Sequence, residues 1–305
     1  MVKLREAKYC NLKLLLIYLV VFGHLIEPTG HWLYRVIYAF HMPAFAMLSG
    51  MFSRKNRLTA AKKFLIWYIA LQTVAVILGK ASVLTPYWHL WYLLSNACWI
   101  LLERMLERFN KWVVLTVAIL FAFLIGYVPQ IGRTLSLSRT IVFFPYYWIG
   151  RRVKCPKVFA SAAVVVGVTA LVFLKIPTNF FYQARGYGEI AYGGLIRLAC
   201  YAIGFSFCYF LIAFSPNCRF AFTKVGADTL TVYLFHAPIV LLLRRYDFSL
   251  IASAVISVAI VGLFYKLQQG KRYFCGIKEE RGEKWHHFRS STKSTPRRST
   301  DFSSL

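Results

Sequence analysis

Acidic residues are scarce in this chain. Eleven aspartates and glutamates stand among 305 residues, and charged side chains of both signs make up only 16%, where an ordinary soluble domain carries about 25%. The seven cysteines (Cys10, Cys98, Cys155, Cys200, Cys208, Cys218 and Cys275) form no CxxC pair and no metal-ligand spacing. They are read as reduced, small apolar packing residues, and no metal is expected. A Walker-type loop, a dinucleotide fingerprint and an internal repeat are missing as well. What is present is apolar: 58% hydrophobic, 17% aromatic, with a mean hydropathy of +0.54. This composition excludes a disordered or collagen-like chain and belongs to a protein that lives in lipid.

A membrane span needs about 20 largely apolar residues, fewer where polar groups face a bundle interior. Ten segments qualify, near 9–27, 32–53, 63–79, 88–102, 112–128, 137–150, 158–175, 190–214, 227–243 and 249–266. The first apolar run, Leu14 to Ile26, leads into His-Leu-Ile-Glu-Pro rather than a small-residue cleavage site, so it is expected to be retained. Assigning the loops alternately, with the N-terminus inside, puts 28 of the 37 lysines and arginines in cytoplasmic segments and 6 in outer ones. Arg35, Arg139 and Arg197 lie within spans. This asymmetry predicts an all-α integral membrane protein, a polytopic bundle of about ten transmembrane helices with both termini cytoplasmic. Segment 137–150 is short and carries Arg139, but without it Arg151, Arg152, Lys154 and Lys157 would fall outside. The formal charge of +26 is therefore orientation, and no nucleic acid is expected as a partner. Residues 1–267 form the membrane domain. Residues 268–305, rich in Lys, Arg, Ser and Thr, are expected to stay disordered near anionic headgroups.

Ionisable groups inside a span cost about 2.5–3.5 kcal/mol each on insertion scales, which makes each one a functional candidate. The first two spans hold most of them. Lys13 and His24 are eleven residues apart, three helical turns plus about 20°, so they share one face about 16 Å apart along the axis. Asn11 and Glu27 flank them. In the second span His41 precedes Pro43, which removes a backbone donor, and Ser49 and Gly50 offer a small surface for close helix contact. Only Pro28 to His31 join the two spans, so they form an antiparallel hairpin that brings His24 and His41 toward one polar pocket. Elsewhere, Arg35 and His89 either snorkel or reach a ligand. Trp88 and Trp91 read most simply as an interfacial aromatic belt. Arg139 and Arg197 either pair with Glu189 or backbone carbonyls, or bind substrate. His236 is either a satisfied core histidine beside Pro238 or part of the site.

The same residues carry a resemblance. Asn-Leu-Lys at 11–13 with Val-Val-Phe-Gly-His at 20–24, then Phe-His-Met-Pro-Ala-Phe at 40–45 with Ser-Gly-Met-Phe at 49–52, resemble the membrane-bound acyltransferase 3 family, in particular its fucose 4-O-acetylase-like members. His-Leu-Trp-Tyr-Leu at 89–93, Phe-Phe-Pro-Tyr-Tyr-Trp-Ile-Gly at 143–150 and the run Thr229 to Pro238 follow in the same order, so the likeness covers about residues 9–266. Cys10 stands where members commonly carry an aspartate, and Leu14 where a glycine is frequent. The resemblance implies a bacterial inner-membrane enzyme that moves an acetyl group from acetyl-CoA, used as acyl donor rather than as a resident cofactor, onto a carbohydrate hydroxyl of a polysaccharide or lipid-linked sugar. The family's basic residue, ten intervening residues and histidine map onto Lys13 and His24.

Acyl transfer from a thioester needs a base, a donor for the developing oxyanion and exclusion of water. Histidine suits the first task. The expectation is that His24 takes the proton from the sugar hydroxyl, with His41 orienting it or helping the oxyanion. Lys13 and Asn11 would meet coenzyme A at the cytoplasmic side. Glu27, Arg35, His89, Arg139 and His236 would contact the acceptor. The rival reading is a transporter or exporter of a glycan intermediate or small anion, since buried His, Arg and Pro also suit a carrier.

Overall fold

Each of the ten segments expected from hydropathy forms a helix. The structure, a computed structural model, describes residues 4–52, 57–153, 156–184, 186–188 and 190–269, and among these no strand occurs. The helices are α1 Leu4–Ile26, α2 Trp32–Met51, α3 Arg57–Ile77, α4 Trp91–Leu106, α5 Lys111–Leu124, α6 Leu137–Gly150, α7 Lys157–Phe173, the short α8 Thr178–Tyr182, α9 Gly193–Phe214, α10 Leu230–Leu243 and α11 Leu250–Gln269. Four are long and apolar enough to cross a membrane: Ala7–Thr29, Arg57–Ile77, Gly193–Phe214 and Leu250–Gln269. Lys111–Tyr127, Lys157–Phe173 and Leu230–Leu243 are shorter apolar helices. Of the basic tail expected to be disordered, 268–305, Gln268 and Gln269 continue α11, and the remainder lies outside the described residues.

The tightest crossing joins α2 to α6, and glycine makes it possible. A Cβ on Gly50 would stand 1.9 Å from the Tyr147 carbonyl oxygen, and one on Gly150 would stand 2.2 Å from that of Met47. The two helices are notched reciprocally, so their backbones touch, as small residues permit in a lipid-embedded bundle. Ser49 beside the notch bonds the Tyr92 hydroxyl at 2.8 Å. α6 is buried along most of its length, from Val142 to Gly150 without interruption. This explains how so short a segment carries its polar residues: it faces other helices. Trp99 and Trp148, both fully buried, each spend their indole N–H on a backbone carbonyl, Thr140 at 2.7 Å and Lys111 at 2.9 Å. A buried indole needs such an acceptor.

The connecting segments sort to two ends. At one end the Glu27–Thr29 turn, Trp88, the 132–139 stretch, α8 and Arg244 meet. At the other, Tyr9 packs edge-on against Phe52, Asn11 reaches the 216–223 loop, Arg57 pairs with Glu107 at 2.5 Å and Arg152 with Glu103 at 3.0 Å. The loops assigned outside by charge share the first end and those assigned inside share the second. Consecutive helices therefore alternate in direction, as the hairpin argument requires.

Candidate active site

The site grows from the α1–α2 hairpin. Pro28 opens a 3-10 turn over Glu27–Thr29, and Gly30 ends it with φ +65°, a conformation that glycine adopts without cost. His31 caps α2 by accepting from the Leu33 N–H at 3.2 Å. Gly23 lets α2 approach: a Cβ there would lie 3.2 Å from Ile37 and 3.3 Å from Tyr38. Tyr38 thereby reaches His24, with hydroxyl and Nδ1 2.6 Å apart. Just beyond, Glu27 Oε2 lies 3.6 Å from the same Nδ1.

Glu27 is the hub of this end of the molecule. It accepts from the Tyr182 hydroxyl and from the Arg244 guanidinium, and the Tyr34 hydroxyl oxygen lies 3.4 Å away. Arg244 also donates from Nε to the His24 carbonyl at 2.7 Å, one of the carbonyls that the C-terminus of α1 leaves without an intrahelical partner. The Tyr34 and Tyr182 hydroxyls are hydrogen-bonded to each other, and Tyr34 and Tyr38 also interact through theirs, their rings packed at 4.2 Å.

Counting hydrogens gives this network a direction. A carboxylate only accepts, and each tyrosine has one hydrogen to give. Tyr182 gives its hydrogen to Glu27, so Tyr34 gives to Tyr182, Tyr38 gives toward Tyr34, and His24 gives from Nδ1 to Tyr38. That order assigns the lone pair of His24 to Nε2.

Two further histidines sit behind it. His236 stacks on His24 at 5.7 Å between ring centroids, and His89 meets His236 edge-on at 5.3 Å. His236 Nδ1 donates to the Val232 and Tyr233 carbonyls at 3.1 and 2.9 Å. Pro238 has no N–H to give the Leu234 carbonyl four residues earlier, and His89 Nε2 takes that place at 3.2 Å. Each imidazole therefore spends its N–H on backbone. The remaining nitrogens, His236 Nε2 and His89 Nδ1, are buried with no partner among the described residues.

The other expected site residues fall in different places. His41 meets His24 only through Tyr38: its Nδ1 donates to the Ile37 carbonyl at 2.8 Å and its ring packs on Tyr38 at 4.7 Å. Arg139 Nε donates to the Tyr182 carbonyl at 3.0 Å with its guanidinium over the Trp91 ring. Arg35 is half-buried, with Nε and Nη2 unpartnered among the described residues. Arg197 donates to the Ala122 carbonyl at 2.8 Å. Glu189, weighed as a partner for these arginines, lies outside the described residues. Lys13 and Asn11 sit at the far end of α1. Lys13 Nζ is 5.5 Å from the Phe52 ring centroid. Asn11 donates both amide hydrogens, to the Pro216 and Cys218 carbonyls at 3.0 and 2.9 Å, and its oxygen accepts from Thr223 at 2.7 Å.

The aromatic belt is a correction. Trp91 is buried against Phe143, and Trp88 packs on the His24 ring at 4.6 Å beneath the Arg244 guanidinium. Hydropathy cannot separate a tryptophan that faces headgroups from one that faces a polar site at the same depth. Tyr34, Tyr38, Tyr182 and Arg244 were not anticipated. For Tyr38 a signal existed in its register against His24 across the short hairpin. For Arg244 there was none, since 220 residues separate it from the carbonyl it holds.

A cavity of about 410 Å³ opens over this cluster, within the range of about 300–1,000 Å³ typical of ligand sites. Glu27, Trp88, Arg133, Arg139, Asn179 and Tyr182 line it. Fold and site together define a helical, membrane-compatible protein with a histidine flanked by an acid, a tyrosine chain and a polar vestibule.

Comparison with known proteins gives one relative. The chain is 24% identical, over 304 aligned residues, to the nodulation protein NolL of Mesorhizobium japonicum, the match covering 80% of this chain and 79% of that protein. No family model matches. No solved structure matches either.

Proposed function

We propose that this chain is a membrane-bound O-acyltransferase that moves an acetyl group from acetyl-CoA to a hydroxyl of a cell-surface or lipid-linked carbohydrate. In this reading ten of its helices, all but the short α8, cross the bilayer, an inner membrane of bacterial type, with both termini cytoplasmic. What supports this is the charge asymmetry of the loops, their sorting to two ends, the acyltransferase 3-like motifs, and the similarity to NolL along four-fifths of the chain. The observation that carries the chemistry is the placement of His24. It stands behind the vestibule wall, its ring against the lining residue Trp88, tied through Nδ1 to Tyr38 with the lining residue Glu27 close by.

In the proposed reaction His24 Nε2 takes the proton from the acceptor hydroxyl. The hydroxyl oxygen bonds to the thioester carbonyl carbon, the carbon–sulfur bond breaks, and the coenzyme A thiolate leaves with the proton that His24 returns. The imidazolium formed in between is held by the tyrosine chain and by Glu27. His41 supports Tyr38 rather than His24 itself. Lys13 attracts the coenzyme phosphates from the cytoplasm, and an extended pantetheine arm covers the roughly 16 Å to His24. Asn11, expected at the coenzyme, is assigned instead to the 216–223 loop, because its hydrogen-bonding groups are already used there.

The test is transfer of labelled acetyl from acetyl-CoA by purified protein in liposomes, with a glycan extract as acceptor. Native protein is expected to label the glycan, and His24→Ala to lose this by about 10²–10⁴-fold. Transfer undiminished in His24→Ala would overturn the assignment. Glycan flux across the liposome with no acylation would favour the carrier.

A further inference from the structure

The vestibule is not electrically neutral. Glu27 is compensated where it stands, by Arg244 and by the tyrosine hydroxyls. Arg133 and Arg139 also line the cavity, near enough to repel one another, and no described carboxylate pairs with either. Arg139 is fixed through Nε to the Tyr182 carbonyl, with its guanidinium over the Trp91 ring. Its position is thus set before any ligand arrives. Arg133 is exposed at the rim. Two cations of like charge in a confined, partly desolvated space are unfavourable alone and favour an anion between them. Guanidinium groups match the planar or tetrahedral oxygens of carboxylate and phosphate. Trp88 and Asn179 complete the wall, and the Asn179 amide offers a hydrogen-bonding group that a sugar hydroxyl can meet.

From this we infer that the vestibule binds an acceptor sugar carrying a negative group, carboxylate or phosphate, held by Arg133 and Arg139 while a neighbouring hydroxyl faces His24. The inference rests on the acyltransferase reading and narrows its acceptor from carbohydrates in general to anionic ones. It also makes the outer face the side where the acceptor is taken up.

Binding can be measured without any acyl donor, which separates this inference from the reading beneath it. Full-length protein in nanodiscs is titrated by calorimetry with a uronic acid disaccharide, a sugar phosphate, and the neutral disaccharide of matching linkage. The expected result is that at least one anionic ligand binds about tenfold or more tightly than the neutral one. That preference should fall about tenfold in Arg133→Gln, a rim residue whose loss leaves the fold intact, and weaken as salt is raised. The carboxylate and phosphate arms report which anion is read. Equal binding of the neutral and both anionic sugars, or a preference unchanged in Arg133→Gln and Arg139→Gln alike, overturns the inference even if acetyl transfer proceeds. A clear anionic preference with no acetyl transfer would sustain the vestibule and sink the acyltransferase.

Discussion

His24 is distinguished less by being buried than by which nitrogen its neighbours leave available. Donor counting from Glu27 backwards fixes Nδ1 as the N–H, so a variant that breaks the chain should act on the reaction and spare binding. Tyr38→Phe removes one hydroxyl between His24 and Tyr34 and keeps the ring packing. We expect its kcat to fall by about ten- to a hundredfold with little change in KM for acetyl-CoA, measured by initial rates. Glu27→Gln strands the Arg244 guanidinium, which loses its carboxylate, and should cost about 1–3 kcal/mol of stability, read as a lower Tm in detergent. Adding Arg244→Gln should cost much less than it does alone, because the two side chains form one unit. At this scale the sequence was informative where helical periodicity governs. Lys13 and His24 do share one unbroken helix, and the short hairpin does bring α2 to His24. It was silent on Arg244 and Tyr182, whose partners lie on other helices, and misleading on Trp88.

At the scale of elements, glycine spacing decides which helices touch. Gly50→Ala or Gly150→Ala would drive a methyl group into a backbone carbonyl of the facing helix, which no rotamer can relieve, so α2 and α6 must separate. Each should sharply reduce the yield of monodisperse protein on size-exclusion chromatography. Gly262→Ala in α11 is the control: nothing lies within 4 Å of the added carbon, and yield and elution should match the native protein. Ser49 and Gly50 were readable beforehand as a contact surface, but not the partner. Pairing α2 with α6 needs Gly150, which in the sequence reads as the end of a weak span. The His-x-Pro pattern behaves similarly. Pro43 was legible as a break in the hydrogen-bond ladder, while the gap left by Pro238 shows only in the structure, where its donor, His89, comes from another part of the chain.

At the scale of the whole molecule, the charge count and the contacts agree on two ends. A membrane-impermeant maleimide provides the check. In a background otherwise without cysteine, Thr29→Cys should be labelled from outside intact cells, since Thr29 is exposed beside the vestibule. Cys218, exposed at the opposite end, should be labelled only after permeabilisation. Both labelled from one side would contradict the alternation of α1 and α9 and with it the ten-crossing reading. The architecture of helices and ends was legible because lipid and charge act on whole segments. The vestibule was not, because it is assembled from four separate loops and helix ends.

The burial of α6 bears on how such a protein is made. A helix of 14 residues with its side chains turned toward neighbouring helices gains little by partitioning into lipid when it leaves the ribosome. Its receptor is the notch in α2, synthesised about a hundred residues earlier. On the proposed ten-crossing topology, the entry of α6 into the bilayer would be a docking step of folding, governed by whether the first hairpin is already in place and waiting. Biogenesis would then depend on the order in which the helices arrive, and an early fault in α2 would strand a later segment outside the membrane.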